Sequence, residues 1–407
     1  MNDYFTFLWR VVRLSFQGSG RFYTWMTLLS VLSLVGLNAY ARQFVEGLQT
    51  SGMTNQVSWG AYIANFTFLV GVAAAAVMLV IPAYIYKKEF MHEVVMFGEL
   101  MAIAVIVMCL LFVTVDLGHP ERFHHMIPPF GIFNWPGSIL SWDVIVLNGY
   151  LLLNLHIAGY LLYARYRQCK PTKLFYIPFV FISIAWAVSI HTVTAFLYVG
   201  LAGRSYWHHP LVPSRFLASA FVAGPALMIL TFQIIRRAAR YWIGDEPIFT
   251  LRMIMTVAMI INMFLLGCEL FTEFYSPTEH AAAAHYLYFG LHGHKGLVPW
   301  IWTAIALDLA GLALLITPLS RRIAGLNVAC VACFIGIWIE KGMGLIIPGF
   351  VPSPLGQVVE YLPTLNETLV CMGIWAFGLL LYSWMLHVAI PIMNGSLRAH
   401  PEIPTTL

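Results

Sequence analysis

The stretch VDLGHPERFHHM, Val115 to Met126, follows the apolar run MAIAVIVMCLLFVTV and gathers Asp116, His119, Glu121, Arg122, His124 and His125. A carboxylate at the end of an apolar run can exchange protons between a dry interior and water. Three other runs carry compatible chemistry. HTVTAFLY places His191, Thr194 and Tyr198 on one helical face, SWGAYIANF sets Trp59, Tyr62 and Asn65 at three-residue steps, and SWDV supplies Trp142 and Asp143. Aromatic walls with a few convergent donors suit an amphipathic ligand such as a quinone head group, which needs hydrogen bonds at two carbonyls and a proton source on reduction. Asp116 and His191 are then the candidate proton-handling groups. Trp59, Tyr62, Asn65, His119, Arg122, Trp142, Asp143, Thr194 and Tyr198 are candidate ligand contacts. The competing reading is an interfacial aromatic belt with ordinary helix-to-helix hydrogen bonds, which serves Trp59 and Trp142 equally well. A solvated loop with a helix cap accounts for Glu121 and His125, and accounts less well for Asp116.

A second set lies deeper. Glu269 and Glu273 stand four residues apart, and Glu99, Asp308, Glu340 and Lys341 also fall inside apolar runs. Each charge at such depth costs roughly 2.5–3.5 kcal/mol on insertion, so it is a functional candidate by default. The set reads either as a transmembrane proton route or as a static network of ion pairs.

The elements that must position these groups follow from composition. The chain has 407 residues, 60% hydrophobic and 10% charged, with a mean hydropathy of +0.79. A water-soluble domain could not carry that balance, and the net charge of +4 is too small and scattered for nucleic acid. Lipid is the main solvent. Segments of about 20 apolar residues predict ten transmembrane helices, at about 22–45, 58–86, 93–117, 140–164, 174–201, 215–238, 250–275, 298–318, 326–349 and 368–393. The first 20 residues mix Arg10 and Arg13 with Phe and Trp and read as a short interfacial helix without a cleavable signal.

Of the 22 Lys and Arg, sixteen fall on the side that holds both termini, Arg240 among them, and six on the other. The positive-inside rule therefore places both termini in the cytoplasm and the histidine-rich loops, His280 included, outside. Loop lengths run short, long, short between spans two and five, and again between spans six and nine. This predicts an all-α polytopic protein of two parallel four-helix bundles with spans one and ten flanking them. The expected divisions are an interfacial helix at 1–20, the first span and outer loop at 21–57, a bundle at 58–201 with the ligand site, a second bundle at 202–349, and the last span and tail at 350–407.

The six cysteines are scattered, and the single C-x-x-C, Cys330 to Cys333, lacks the histidine of a haem-attachment site and the further thiolates of a cluster. Only His156, His191 and His387 lie in spans, too few for two bis-histidine haems. No metal centre is expected in the chain itself.

SWGAYIANFTFLVGVAAAA, DLGHPERF, SWDV and HTVTAFLYVGLAGRSYWHHPLVPSRFLASAFVAGPAL resemble the polysulfide-reductase membrane-anchor (NrfD-like) family over spans two to nine. The ten-span length and the HTVTAFLY run are most similar to its branch in dissimilatory sulfur metabolism. The resemblance implies a haem-free subunit of paired bundles, with a quinone site, menaquinone by expectation, under VDLGHPERFHHM. It implies as partners an extracytoplasmic ferredoxin-like iron–sulfur subunit, a multihaem cytochrome c, a haem b membrane subunit and a cytoplasmic iron–sulfur catalytic subunit. Two other classes stay open. A secondary transporter would share duplicated bundles and buried charge, although Gly224-Pro225 has no counterpart in the other half. A purely structural anchor would need no pocket.

Overall fold

The computed structural model describes residues 2–239, 241–275 and 281–399; Arg240 and His280 lie outside the described residues. The first element, α1 (Asn2–Ser15), is amphipathic. It turns Phe5, Leu8 and Trp9 outward and ties its other side to the rest of the chain, Arg10 Nη1 donating to the Tyr166 hydroxyl at 3.0 Å and to the Arg398 carbonyl at 2.6 Å. An apolar face left exposed beside arginines is the pattern of a helix lying in a membrane interface.

The remaining helices are α2 (Gly20–Glu46), α3 (Ala61–Ala73), α4 (Ala75–Val80), α5 (Glu89–Asp116), α6 (Ile139–Tyr166), α7 (Ile177–Val199), α8 (Val212–Ala238), α9 (Asp245–Tyr275), α10 (Ala281–Tyr288), α11 (Val298–Ile316), α12 (Ile323–Lys341), α13 (Met343–Ile346) and α14 (Leu365–Met393). Among the described residues ten helical segments are long and apolar enough to cross a membrane, with ends within five residues of those expected. The second of them is composite. α3 and α4 run on into a π-helical turn at Ile81–Ile85, where Pro82 has no N–H to give the α-helical ladder.

α3 with α4, α5, α6 and α7 pack as one group, and α8, α9, α11 and α12 as another. The groups meet where α8 lies against α3, α4 and α7. α3 and α5 are buried on nearly all sides, as helices that are apolar all round must be. The first and last spans form a pair outside the bundles, α2 packed along α14 and α14 against α5. Their approach needs Gly36 and Gly373: a Cβ on Gly36 would stand 2.4 Å from the Gly373 Cα. Small residues that let backbones touch are the usual means of joining helices where lipid removes the hydrophobic drive.

Candidate functional site

The first bundle brings part of the expected set together. Thr194 Oγ1 donates to Asp143 Oδ1 at 2.8 Å between α7 and α6. The Tyr198 hydroxyl and Thr67 Oγ1 share a hydrogen bond between α7 and α3. The Trp59 ring stands edge-on to Tyr198 at 5.8 Å and stacks on Trp207 at 5.4 Å. Trp59 itself precedes α3, which begins at Ala61, so the face expected to join it with Tyr62 and Asn65 does not form. His191 is fully buried, its Nδ1 within 2.7 Å of the Ala187 carbonyl. Its Nε2 faces the backbone of Gly71 without a well-formed hydrogen bond.

The other candidates go elsewhere. Trp142 donates Nε1 to the Pro136 carbonyl at 3.0 Å on the rim. Arg122 lies on an exposed 3₁₀ turn, Pro120–Met126, and His119 immediately precedes it, its Nδ1 2.9 Å from Glu121. Tyr62 turns toward α2 and donates to Gln43 Oε1 at 2.6 Å, while Gln43 Nε2 donates to the Val115 carbonyl at 2.6 Å. Asp116 follows Val115 at this junction of α2, α3 and α5, and among the described residues its buried Oδ1 has no hydrogen-bond partner.

Asn65 leads to a cavity. Its Oδ1 accepts from the indoles of Trp338 at 3.1 Å and Trp375 at 2.9 Å, and its Nδ2 donates to the Ala61 carbonyl at 2.8 Å. Beside it a space of about 460 Å³ opens between the first turns of α3, the end of α12, the start of α11 and the segment leading into α14. Trp300, Trp338, Met343, Leu362 and Pro363 make its walls mainly apolar, and Asn65 is the single one of the expected contacts that lines it. On the same wall the Tyr361 hydroxyl accepts from the Ala61 N–H at 2.8 Å and donates to Glu367 Oε1. The Glu367 carboxylate is fully buried and also accepts from the Gly52 N–H at 2.9 Å and the Ala61 N–H at 3.1 Å. Burial first, and then the Glu367 charge, push the Tyr361 hydroxyl far above the ordinary tyrosine range, so it keeps its proton at any physiological pH.

Sequence reasoning missed Tyr361, Glu367, Trp338, Trp375 and Gln43. Thr364-x-x-Glu367 reads as an ordinary capping box. Thr364 does cap, accepting from the Glu367 N–H at 3.2 Å, but the Glu367 carboxylate reaches across to residues more than 300 positions earlier.

In the second bundle Arg215 is the node. Its guanidinium pairs with both Glu269 and Glu340, each side chain less than 15% exposed. Lys341 Nζ donates to the Phe216 carbonyl at 3.1 Å and lies over the Phe216 ring. These contacts pair Arg215 with two of the expected carboxylates and seat Lys341 on a backbone carbonyl. Among the described residues, Glu273 Oε2, Asp308 Oδ1 and Glu99 Oε2 are instead buried without a hydrogen-bond partner. Among the described residues no group of three or more His, Cys, Asp or Glu is placed to hold a metal ion.

A family model described as polysulphide reductase, NrfD, matches residues 49–352, three quarters of the chain. The chain belongs to the NrfD family. The NrfD match spans both bundles and leaves out α2 and α14, so the cavity residues Tyr361, Leu362 and Cys371 and the adjoining Glu367 come from beyond it. The chain is 26% identical to a selenate reductase subunit of Mesobacillus selenatarsenatis, over 92% of this chain and 96% of that one. It is 27% identical to a putative dimethyl sulfoxide reductase membrane subunit of Halobacterium salinarum, over 84% and 80%. It is 23% identical to the Hdr-like menaquinol oxidoreductase integral membrane subunit of Archaeoglobus fulgidus, over 89% and 91%. This NrfD protein is thus an all-α, multi-pass membrane protein whose relatives carry the names of reductase and oxidoreductase subunits.

Proposed function

We propose that the chain is the quinone-exchanging membrane subunit of a multi-subunit oxidoreductase complex, and that the ring enters the cavity beside Asn65 and Tyr361. The observation that carries this reading is the cavity itself: about 460 Å³, within the range of small-molecule sites, mainly apolar, with a few polar groups on one wall. The residues fit the group. A bound quinone supplies a two-electron, two-proton couple. Asn65 is held rigid by two indoles and fixes the wall against which a flat ring lies. Tyr361 presents a hydroxyl that stays protonated, and Glu367 behind it receives or returns the proton. Tyr62 and Gln43 bond across α3, α2 and α5 and hold the end of α5 in place, where the buried Asp116 carboxylate is the next group on that side able to carry a proton.

The name of the Archaeoglobus relative favours menaquinol as the substrate form. Within the family the HTVTAFLY run and the ten spans favour the DsrP subunit of the DsrMKJOP complex of sulfur metabolism. Its extracytoplasmic ferredoxin-like iron–sulfur subunit would dock over Pro120–Met126. A multihaem cytochrome c, a haem b membrane subunit and a cytoplasmic iron–sulfur catalytic subunit would make up the rest of the assembly. The sixteen-to-six split of Lys and Arg supports cytoplasmic termini in a cytoplasmic membrane. A proton route through the second bundle would use Glu273 and Asp308, with Glu99 on the first side, since Arg215 occupies Glu269 and Glu340.

The test is to fill the cavity. Met343→Trp in the assembled complex abolishes quinone-linked turnover while reduction of an artificial dye by the soluble partners persists. Normal quinone turnover with the cavity filled would place the site elsewhere.

A further inference from the structure

The face that holds both termini carries a second, larger opening. A cleft of about 1130 Å³ lies between the π-helical turn, the start of α5, the end of α6 and the end of α14. Its walls are of two kinds. Met96, Leu161, Leu162 and Met393 make an apolar floor running into the spans, and Arg165, Lys170 and Arg398 stand along its rim with Glu93 as the one carboxylate among its lining residues. Tyr84, Tyr176, Tyr241 and Trp242 ring the mouth, the residue types that settle at the level of lipid head groups. The level is fixed independently by α1, whose exposed Phe5, Leu8 and Trp9 mark an interfacial helix and whose Arg10 bonds to Tyr166 on α6 and to the Arg398 carbonyl. The cleft therefore opens at the depth where phosphate groups of a bilayer lie.

We propose that this cleft binds one anionic phospholipid, its phosphate between Arg165, Lys170 and Arg398 and its first methylenes on the Met96, Leu161 and Met393 floor. Charge selects the occupant, because the rim is cationic and a zwitterionic head group brings no net charge to it. Size and the apolar floor demand more than a free anion. The Arg165 guanidinium is already anchored, Nη2 donating to the Met393 carbonyl at 2.6 Å, so little ordering is left for binding to cost.

The site is separate from the quinone cavity, and its test reads lipid directly. The purified full-length protein, stripped of lipid, is titrated with phosphatidylglycerol or phosphatidylcholine and followed by native mass spectrometry. One tight phosphatidylglycerol adduct is expected, with phosphatidylcholine bound at least tenfold more weakly. Lys170 is exposed, so Lys170→Gln leaves the fold intact, checked by an unchanged size-exclusion profile, and weakens that adduct about fivefold, the effect of one interfacial basic side chain. Lys170→Glu weakens it further. Millimolar inorganic phosphate leaves the adduct in place, and removal of residues 400–407 leaves its affinity unchanged. Equal binding of the two lipids, or an unaltered adduct in Lys170→Gln, overturns the proposal. So does displacement by inorganic phosphate, which would mean a free-anion site, or a several-fold gain on removing residues 400–407, which would mean that the chain's own tail fills the cleft.

Discussion

Tyr361→Phe separates a chemical role for the cavity wall from a structural one. The substitution removes one hydroxyl and keeps the ring that fills the wall. Its structural cost is bounded by the bonds of that hydroxyl. Ala61 N–H loses the Tyr361 oxygen at 2.8 Å but retains Glu367 Oε1 at 3.1 Å, so no backbone donor is orphaned. The Glu367 carboxylate loses its O–H donor and keeps two N–H donors. One hydrogen bond to a charged group is worth about 1.5–3 kcal/mol, and the expected loss of stability lies in that range. Turnover should fall much further than such a loss explains. A positioned proton-transfer group contributes about 10²–10⁴-fold, and the low end is expected here because a water bonded to Glu367 in place of the phenol can still relay the quinol proton. The assay is quinol-dependent reduction of an acceptor by equal amounts of assembled complex, with KM for the quinol measured beside kcat. KM should stay within a few-fold, since Asn65 and the indoles are untouched. Because Tyr361 holds its proton throughout the physiological range, the wild-type pH profile should show no inflection that disappears in the variant. An unchanged kcat, or a large rise in KM with kcat intact, refutes the reasoning.

Asp116→Asn keeps the shape of the α5 end and removes a proton carrier, so turnover should drop by roughly 10²-fold with quinone affinity nearly unchanged; a mere loss of about 1 kcal/mol in stability with normal turnover would mark Asp116 as a helix cap. His191→Ala should leave KM for quinone within a few-fold, because the imidazole is sealed inside the first bundle and does not line the cavity; a tenfold rise would move the head group deeper. Arg215→Met should cost about 3–5 kcal/mol by stranding two buried carboxylates, read as a lowered melting temperature in detergent, and Arg215→Met combined with Glu269→Gln and Glu340→Gln should recover most of it. Failure of that rescue would mean that Arg215 acts through packing alone.

The spans were legible because lipid imposes one strong rule, about 20 apolar residues per crossing, and even the composite helix of α3, α4 and Pro82 satisfies it. The buried carboxylates were legible for the same reason: Glu99, Asp308 and Glu273 stand out in apolar runs. Partnership was not legible. Asn65 stands out by its spacing from Trp59 and Tyr62, yet what gives it a place in the site is two indoles about 270 and 310 residues away. Arg215 looks like an ordinary loop-end cation, and nothing local joins it to Glu269 or Glu340. Glu367 is hidden by a motif with a sufficient local explanation, since a glutamate three residues after a threonine caps helices everywhere.

The pairing of α2 with α14 also sets an order in time. Glu367 and Ala61 are 306 residues apart, so at synthesis rates of 5–20 residues per second the wall of the cavity waits about 15–60 s after Ala61 is made. By the end of that interval the helices from α3 to α12 have all been made and both bundles can assemble, but Gly36 still has no Gly373 to meet. The last helix is therefore the closing piece. A ribosome that stalls before Leu365 leaves behind a membrane protein with the matched segment 49–352 whole and with no Tyr361–Glu367 pair to serve it.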